Sequence, residues 1–244
     1  MSLSVSTSRR PGVVEISKQR TLDGVSALVI TRPTSPTLTA TLTALLLGEV
    51  VPGRVLVLEA SGSSMEGASG SELSAGVRAG LEAARKRASG AGANANVALE
   101  GLRLPGENLA QVVNRYLELA AGPSEAPAGP EASGSVPAPG TWLWILHEDS
   151  APEAGALLAL HRRGSSSRAM GAVGSKQVGW NDRKELLEVG IRATRSARRV
   201  PEVEPGDRDG GQLDGRSDVL GVGTAGMLIR TEALQAVGGF DPVL

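Results

Sequence analysis

Short apolar runs alternate along the chain with stretches in which leucine and valine recur at helical spacing. The apolar runs predict buried strands, and the spaced residues predict amphipathic helices. The predicted strands cover residues 25–30, 54–58, 97–104 and 142–146. The predicted helices cover residues 38–48, 72–86 and 108–120, with a further helix through residues 157–160. A strand, helix and strand within about 35 residues form a right-handed parallel crossover unit. The pattern therefore predicts an α/β protein.

The second half of the chain has a weaker pattern. Residues 169–178 suggest a strand pair with a turn near Gly174, and the two runs 186–191 and 197–200 suggest a hairpin-like excursion. Residues 205–217 are charged and glycine-rich, as in a surface loop, and residues 219–229 form a strand-like run broken by glycines. Thr231 is predicted to cap a short helix that ends at two consecutive glycines.

Two segments have too few core-forming residues to fold alone. Residues 1–24 are polar and aperiodic, which predicts a disordered leader. Residues 122–141 are mostly Pro, Gly, Ala and Ser, which predicts a flexible insertion. The predicted domain therefore covers residues 25–244.

Composition excludes several classes of protein. The net charge of -1 provides no overall field to attract nucleic acid or an acidic membrane. The absence of cysteine excludes disulfides and thiolate metal sites. No apolar run is long enough to span a membrane, and the first residues lack the apolar centre of a signal peptide. We therefore predict a soluble domain in the cytoplasm.

The candidate chemistry lies at the end of the run WLWILHEDSAP, where five apolar residues are followed by His147, Glu148 and Asp149. In open α/β sheets the ligand crevice lies outside the carboxyl ends of the strands. Two carboxylates at that place suit a divalent cation and the phosphates that it neutralises. The alternative is a strand that ends in a solvated acidic turn.

Other motifs point to other functions. Gly221, Gly223 and Gly226 match GxGxxG, but a dinucleotide site needs a helix that begins at the glycines, and here a strand-like run follows. A P-loop motif is absent, and neither histidine lies near a GxSxG elbow. The basic cluster predicts either a solvent-facing hairpin or contacts with an anionic donor or acceptor. This cluster consists of Arg192, Arg195, Arg198 and Arg199.

The order of the motifs resembles the nucleotide-sugar-binding core of family 2 (GT-A type) glycosyltransferases, especially large actinobacterial members. The resemblance covers about residues 25–244 and is strongest in the carboxyl-terminal segment. The segments that carry it are VSALVITRP, RVLVLEASGSS, WLWILHEDSAP, AVGSKQVGW, VGIRATRSARRVPEVEPGDRDGGQLDG and GVGTAGMLIRTEALQAVGGFDP. The resemblance implies a GT-A fold, with a mostly parallel central sheet, helices on both faces and a truncated carboxyl end.

The resemblance also implies an activity and a set of site residues. A sugar would pass, with inversion, from a nucleotide donor such as a UDP- or dTDP-sugar to a glycan or lipid-linked acceptor. Such enzymes build cell-wall polysaccharide, and the whole protein would lie at the inner face of the cell membrane through parts absent here. Asp149, with Glu148, would bind Mg²⁺ or Mn²⁺ across the diphosphate. The implied donor-binding residues are Thr31, Arg32, Glu59, Ser61, His147, Glu148, Gly223 and Thr224.

Three departures from the family pattern qualify these expectations. His147 stands where many relatives have Asp, and Ala60 stands where an acid is usual, with Glu59 one place early. The family's catalytic base follows the Gly-Gly-Phe-Asp segment and is expected beyond Leu244. We therefore expect donor and metal binding with little turnover. A non-catalytic binding domain and a nucleotidyltransferase remain alternatives.

Overall fold

The computed structural model describes residues 19–62, 72–93, 97–121, 136–196, 198–200, 202–215 and 219–243. The strands are β1 Arg20–Thr31, β2 Val50–Ala60, β3 Ala98–Leu104, β4 Trp142–His147, β5 Ala172–Val173, β6 Gln177–Val178, β7 Leu186–Glu188, β8 Arg192–Ala193, β9 Arg199–Val200 and β10 Met227–Arg230. The helices are α1 Leu38–Leu46, α2 Ala75–Gly90, α3 Leu109–Ala121, α4 Ala156–Ser165 and α5 Thr231–Ala236. In these ranges no helix has both the length and the apolar character to cross a membrane.

Six strands form the central sheet in the order β3-β2-β1-β4-β10-β5. The four strands from β3 to β4 are parallel to one another, whereas β10 is antiparallel to both of its neighbours. Because these four strands run in the same direction, their carboxyl ends all lie at one edge of the sheet, and helical crossovers return the chain to the opposite edge.

Alternate residues of the strands face two separate cores. Val29, Val57 and their neighbours pack with α1, α2 and α4 on one face. Leu28, Leu56 and their neighbours pack with α3 and α5 on the other. Both faces of β4 are covered, which is why its side chains from Trp142 to Leu146 are apolar without alternation. The predicted α/β architecture, with a mostly parallel sheet and helices on both faces, is confirmed.

The first strand begins at Arg20, inside the segment predicted to be a leader. Residues 20–22 pair with residues 50–52 of β2, and the register shifts before Ser26. Most of these side chains are exposed, so backbone pairing rather than apolar burial holds this end of the strand. The sequence pattern detects only burial and therefore missed it. Residues 1–18 lie outside the described residues.

The predicted insertion is anchored at its carboxyl end. The backbone N–H of Gly140 donates to Ser26 Oγ at 2.9 Å, and the Tyr116 hydroxyl donates to the carbonyl of Pro137 at 3.0 Å. These contacts deliver the chain to the start of β4. Residues 122–135 of the predicted insertion lie outside the described residues.

Residues 169–178 contain two strands, as predicted, but the prediction that these strands pair with each other is wrong. β5 pairs with β10, and β6 pairs with β7, so the two strands do not pair with each other. The two runs of the predicted hairpin-like excursion do not pair with each other either, because β7 pairs with β6 and β9 pairs with β8 in a hairpin of its own. Each of these strands except β7 and β10 has two residues, too few for a period-two pattern to fix a partner.

Candidate functional site

The carboxyl edge of the sheet brings together polar residues from distant parts of the chain. Glu59 of β2 is in register with Thr31 of β1 on one side and with Arg103 of β3 on the other. Ile30 of β1 is in register with His147 of β4, so Glu148 follows directly beside Thr31. The edge therefore carries a polar row above an apolar core.

Glu148 is held against the end of β1 by its side chain and its backbone. The Thr31 hydroxyl and the backbone N–H of Arg32 both donate to Glu148 Oε2 at 2.8 Å. The Arg32 guanidinium lies 3.4 Å from Oε1, but it is 81% exposed and adds little to stability. The Thr41 hydroxyl of α1 donates to the Glu148 carbonyl at 2.8 Å. A metal bond from Glu148 would replace one of these side-chain contacts.

Asp149 differs from Glu148 in its surroundings. Its side chain is exposed, and among the described residues its carboxylate makes no hydrogen bond or ion pair. It lies in the turn after β4, which the Ser150 N–H closes by donating to the His147 carbonyl at 3.0 Å. The backbone of the turn is therefore fixed, and both oxygens of the Asp149 carboxylate are available to a ligand.

His147 connects this turn to the loop before β10. Its Nε2 lies 2.9 Å from the Thr224 hydroxyl, a hydrogen-bond distance. Burial lowers the pKa of the imidazole, and the charges of Asp149 and Glu148 oppose this shift in part. The lowered pKa favours the neutral ring, which can accept or donate one hydrogen bond at Nε2.

The glycines of the GxGxxG match form a tight loop, and no helix begins at them. Gly226 has a φ of 83°, and its N–H donates to the Ile145 carbonyl of β4 at 2.9 Å. The N–H of Gly223 donates to Glu188 Oε1 at 2.8 Å. Because the chain then continues as β10, the loop lacks the helix that a dinucleotide site requires.

Two of the predicted donor-binding residues are engaged within the fold. Glu59 is 0% exposed; its Oε2 accepts from the Ser74 N–H at 2.8 Å, and its Oε1 lies 3.3 Å from Arg103 Nε without hydrogen-bond geometry. This carboxylate therefore fixes the start of α2. The Ser61 hydroxyl donates to the Leu104 carbonyl at 3.1 Å. Glu59 lies near the carboxyl end of β2, in register with Thr31, and Ser61 follows that strand, but their side chains are directed to the start of α2 and to β3.

The basic cluster lies on the β8–β9 hairpin, which agrees with the first of the two predictions for it, a solvent-facing hairpin. Arg192 pairs with Glu202 at 2.8 Å, and Arg199 pairs with Glu188 at 3.3 Å. The side chains of Arg195 and Arg198 are exposed. Through Glu188 the hairpin is connected to Gly223 and so to the loop that carries Thr224.

The carboxylates described at this edge are too few for a preformed metal centre, but they suit a cation that binds together with a phosphate ligand. In the part of the chain that the structure describes, no group of three or more His, Asp or Glu residues could hold a metal ion. Mg²⁺ is usually bound through one or two carboxylates together with substrate phosphates and water. Asp149 alone, or with Glu148, provides that number of ligands.

Sequence reasoning missed Glu188 and Thr41. Thr41 lies in a helix that was predicted from the spacing of its leucines, and its hydroxyl donates to the backbone of the acidic turn at Glu148. Glu188 is part of a three-residue strand with no recognisable motif. In both cases the contact joins residues far apart in the chain, and no local pattern marks it.

Comparisons with known proteins assign no family to the chain. No family model matches, and no curated protein matches. Among solved structures the chain is similar to a mannosyltransferase from Pyrobaculum calidifontis in complex with GDP-Man and Mn²⁺, with a TM-score of 0.45 and 14% identity. The match covers 90% of this chain and 49% of that chain, so the chain spans about half the length of that protein. At these values the likeness does not assign an activity.

Proposed function

We propose that this chain is the donor-binding part of a glycosyltransferase, with a nucleotide-sugar and a divalent cation bound at the carboxyl edge of its parallel sheet. The observation that carries the proposal is the contrast between two adjacent carboxylates. Glu148 is tied to β1, whereas Asp149 is exposed and unpartnered among the described residues. Such a pair fixes the turn and leaves one carboxylate for a cation.

A cation at this place would serve the chemistry of sugar transfer. When a sugar leaves a nucleoside diphosphate, negative charge develops on the departing phosphate oxygen, and a bound Mg²⁺ or Mn²⁺ would stabilise that charge as a Lewis acid. Asp149 is the proposed ligand, and Glu148 is its positioning partner or a second ligand. The Thr31 hydroxyl and the Arg32 backbone N–H bind Glu148 in the same turn, and we propose that these two residues lie beside the nucleotide.

Gly223 and Thr224 are proposed to close the donor site from the other side. The absence of a side chain at Gly223 lets the Glu188 carboxylate lie against the loop backbone, and Thr224 of the same loop is hydrogen-bonded to His147. Glu59 and Ser61 are proposed to shape the nucleotide side of the crevice by fixing α2 and the end of β2. The family 2 assignment, the inversion and a glycan or lipid-linked acceptor belong to the same proposal and rest on the sequence motifs.

The proposal is tested by calorimetric titration of UDP- and dTDP-sugars in the presence of Mn²⁺, Mg²⁺ or EDTA. We expect binding that requires the cation. Binding of equal affinity in EDTA would favour a non-catalytic nucleotide-binding domain without metal. An assay that separates released nucleoside diphosphate from pyrophosphate distinguishes sugar transfer from nucleotidyl transfer, and pyrophosphate release would contradict the proposed chemistry.

A further inference from the structure

Glu188 lies at the junction of three elements around the candidate site. It is the last residue of β7, and its side chain is 24% exposed. One carboxylate oxygen accepts from the N–H of Gly223, 35 positions along the chain, and the other pairs with Arg199 of the hairpin. A carboxylate that accepts a backbone N–H forms a stronger hydrogen bond than a neutral acceptor.

The fit between Glu188 and Gly223 is steric as well as polar. A Cβ at position 223 would lie 2.9 Å from the Glu188 Cδ and closer still to Oε1. Any other residue at position 223 would therefore push the carboxylate away from the loop. The glycine and the glutamate form a matched pair in which each defines the position of the other.

The pair stands one residue from the contact that joins the loop to the acidic turn. Thr224 follows Gly223, and its hydroxyl meets His147 Nε2 at 2.9 Å. His147 in turn precedes Glu148 and Asp149. A shift of the Gly223 backbone would move Thr224 away from the imidazole and so disturb the same turn.

We infer that Glu188 is a positioning residue, which sets the Gly223–Thr224 loop against His147 and thereby orders the turn that carries Asp149. Arg199 restrains the Glu188 carboxylate from the solvent side. This inference depends on the proposed function only for its ligand-binding consequence. The geometric part concerns the protein without ligand.

The test compares Glu188→Ala, Glu188→Asp and Glu188→Gln with wild type by amide exchange and ¹⁵N NMR. Glu82→Ala on the exposed face of α2 is the matched control. The chain has two histidines, so the ring resonances of His147 can be assigned by comparison with His161→Gln. We expect Glu188→Ala to accelerate exchange of the Gly223 amide by about tenfold or more and to shift the His147 ring resonances.

The three variants distinguish the effect of side-chain length at position 188 from the effect of its charge. Asp keeps the charge but is one methylene shorter, so it should behave like Ala, whereas Gln keeps the acceptor oxygen and should restore both signals. If Glu188→Ala does not fold, the difference between Asp and Gln decides. Unchanged Gly223 exchange in the Ala or Asp variant, or faster exchange without a shift at His147, would overturn the inference.

Ligand binding provides the second readout. We expect the affinity for UDP-glucose or dTDP-glucose with Mn²⁺ to fall about tenfold in Glu188→Asp and to be retained in Glu188→Gln. Equal affinity in wild type and Glu188→Asp would remove the link between Glu188 and the site. If wild type binds neither sugar nucleotide, the proposed function fails, while the exchange and NMR results still decide the role of Glu188.

Discussion

The hydroxyl of Thr31 donates to the carboxylate of Glu148 at 2.8 Å, although the two residues are 117 positions apart in the chain. The contact joins the ends of β1 and β4, two neighbouring parallel strands. It connects two separate strand ends at the edge where we propose that the donor binds. The first prediction follows from this contact.

Thr31→Val preserves the shape of the side chain and removes its donor. Because Glu148 Oε2 then keeps only the backbone N–H of Arg32, we expect the free energy of unfolding to fall by about 1 kcal/mol. Urea denaturation measures this change. In the control Thr43→Val, the lost hydroxyl bonds within α1 to the Thr39 carbonyl, away from the site. Nucleotide-sugar affinity should fall in the first variant and stay unchanged in the control.

Gly164→Ala should destabilise the protein even though alanine favours a helix. A Cβ at position 164 of α4 would lie 2.8 Å from the Trp142 ring. That ring also contacts Arg230, whose guanidinium carbon lies 4.3 Å from the ring centroid. Overpacking of this kind costs about 1–3 kcal/mol, more than the gain of up to about 1 kcal/mol in helix propensity. The matched variant is Gly90→Ala in α2, where a Cβ would meet nothing within 4 Å. A Gly164→Ala protein as stable as Gly90→Ala would contradict the packing of Trp142.

Tyr116 should ionise at unusually high pH. Burial raises the pKa of this phenol to about 12; the charge of Glu100 adds to the shift and that of Arg54 opposes it. Because the pKa in the folded state exceeds the ordinary value of about 10, the contribution to stability is present below pH 10 and is lost as pH rises toward about 12. The chain has one tyrosine, so tyrosinate absorbance reports it directly. Titration near pH 10 in a chain whose tryptophan fluorescence is still native would disprove the burial of this hydroxyl.

Acidification should weaken the fold through His147. Its pKa in the folded state is lowered, chiefly by burial, so the unfolded chain binds a proton more readily. Stability is therefore highest above the ordinary histidine pKa of about 6.5 and falls as pH drops through that value. We expect His147→Gln to flatten this dependence in metal-free urea denaturation between about pH 5 and 8. His161→Gln controls for the loss of a histidine as such, and an unchanged slope in His147→Gln would assign the effect elsewhere.

The sequence was informative where burial leaves a pattern and silent where contacts cross between distant segments. The run from Trp142 to Leu146 predicts a strand because both of its faces are covered. Its acidic end predicts the candidate site because parallel strands share a carboxyl edge. Glu148 and Asp149 are adjacent and chemically similar in sequence. Their surroundings differ because Thr31, which only folding brings into contact, donates to Glu148.

The short strands of the second half could not be paired from the sequence. A two-residue strand such as β5 has no hydrophobic period, and its partner β10 is antiparallel in an otherwise parallel region. The role of Glu188 was missed for a related reason. Its importance depends on Gly223, which the sequence presents as part of a dinucleotide motif.

The central claim is the proposal that the carboxylate of Asp149 would bind a divalent cation together with the diphosphate of a sugar nucleotide. The most direct measurement is the Mn²⁺ dependence of UDP- or dTDP-sugar affinity in wild type and Asp149→Asn, with Asp23→Asn on the exposed part of β1 as control. The account predicts that Mn²⁺ strengthens binding at least about tenfold in wild type and in the control, and not in Asp149→Asn. Equal enhancement by Mn²⁺ in all three proteins would contradict it.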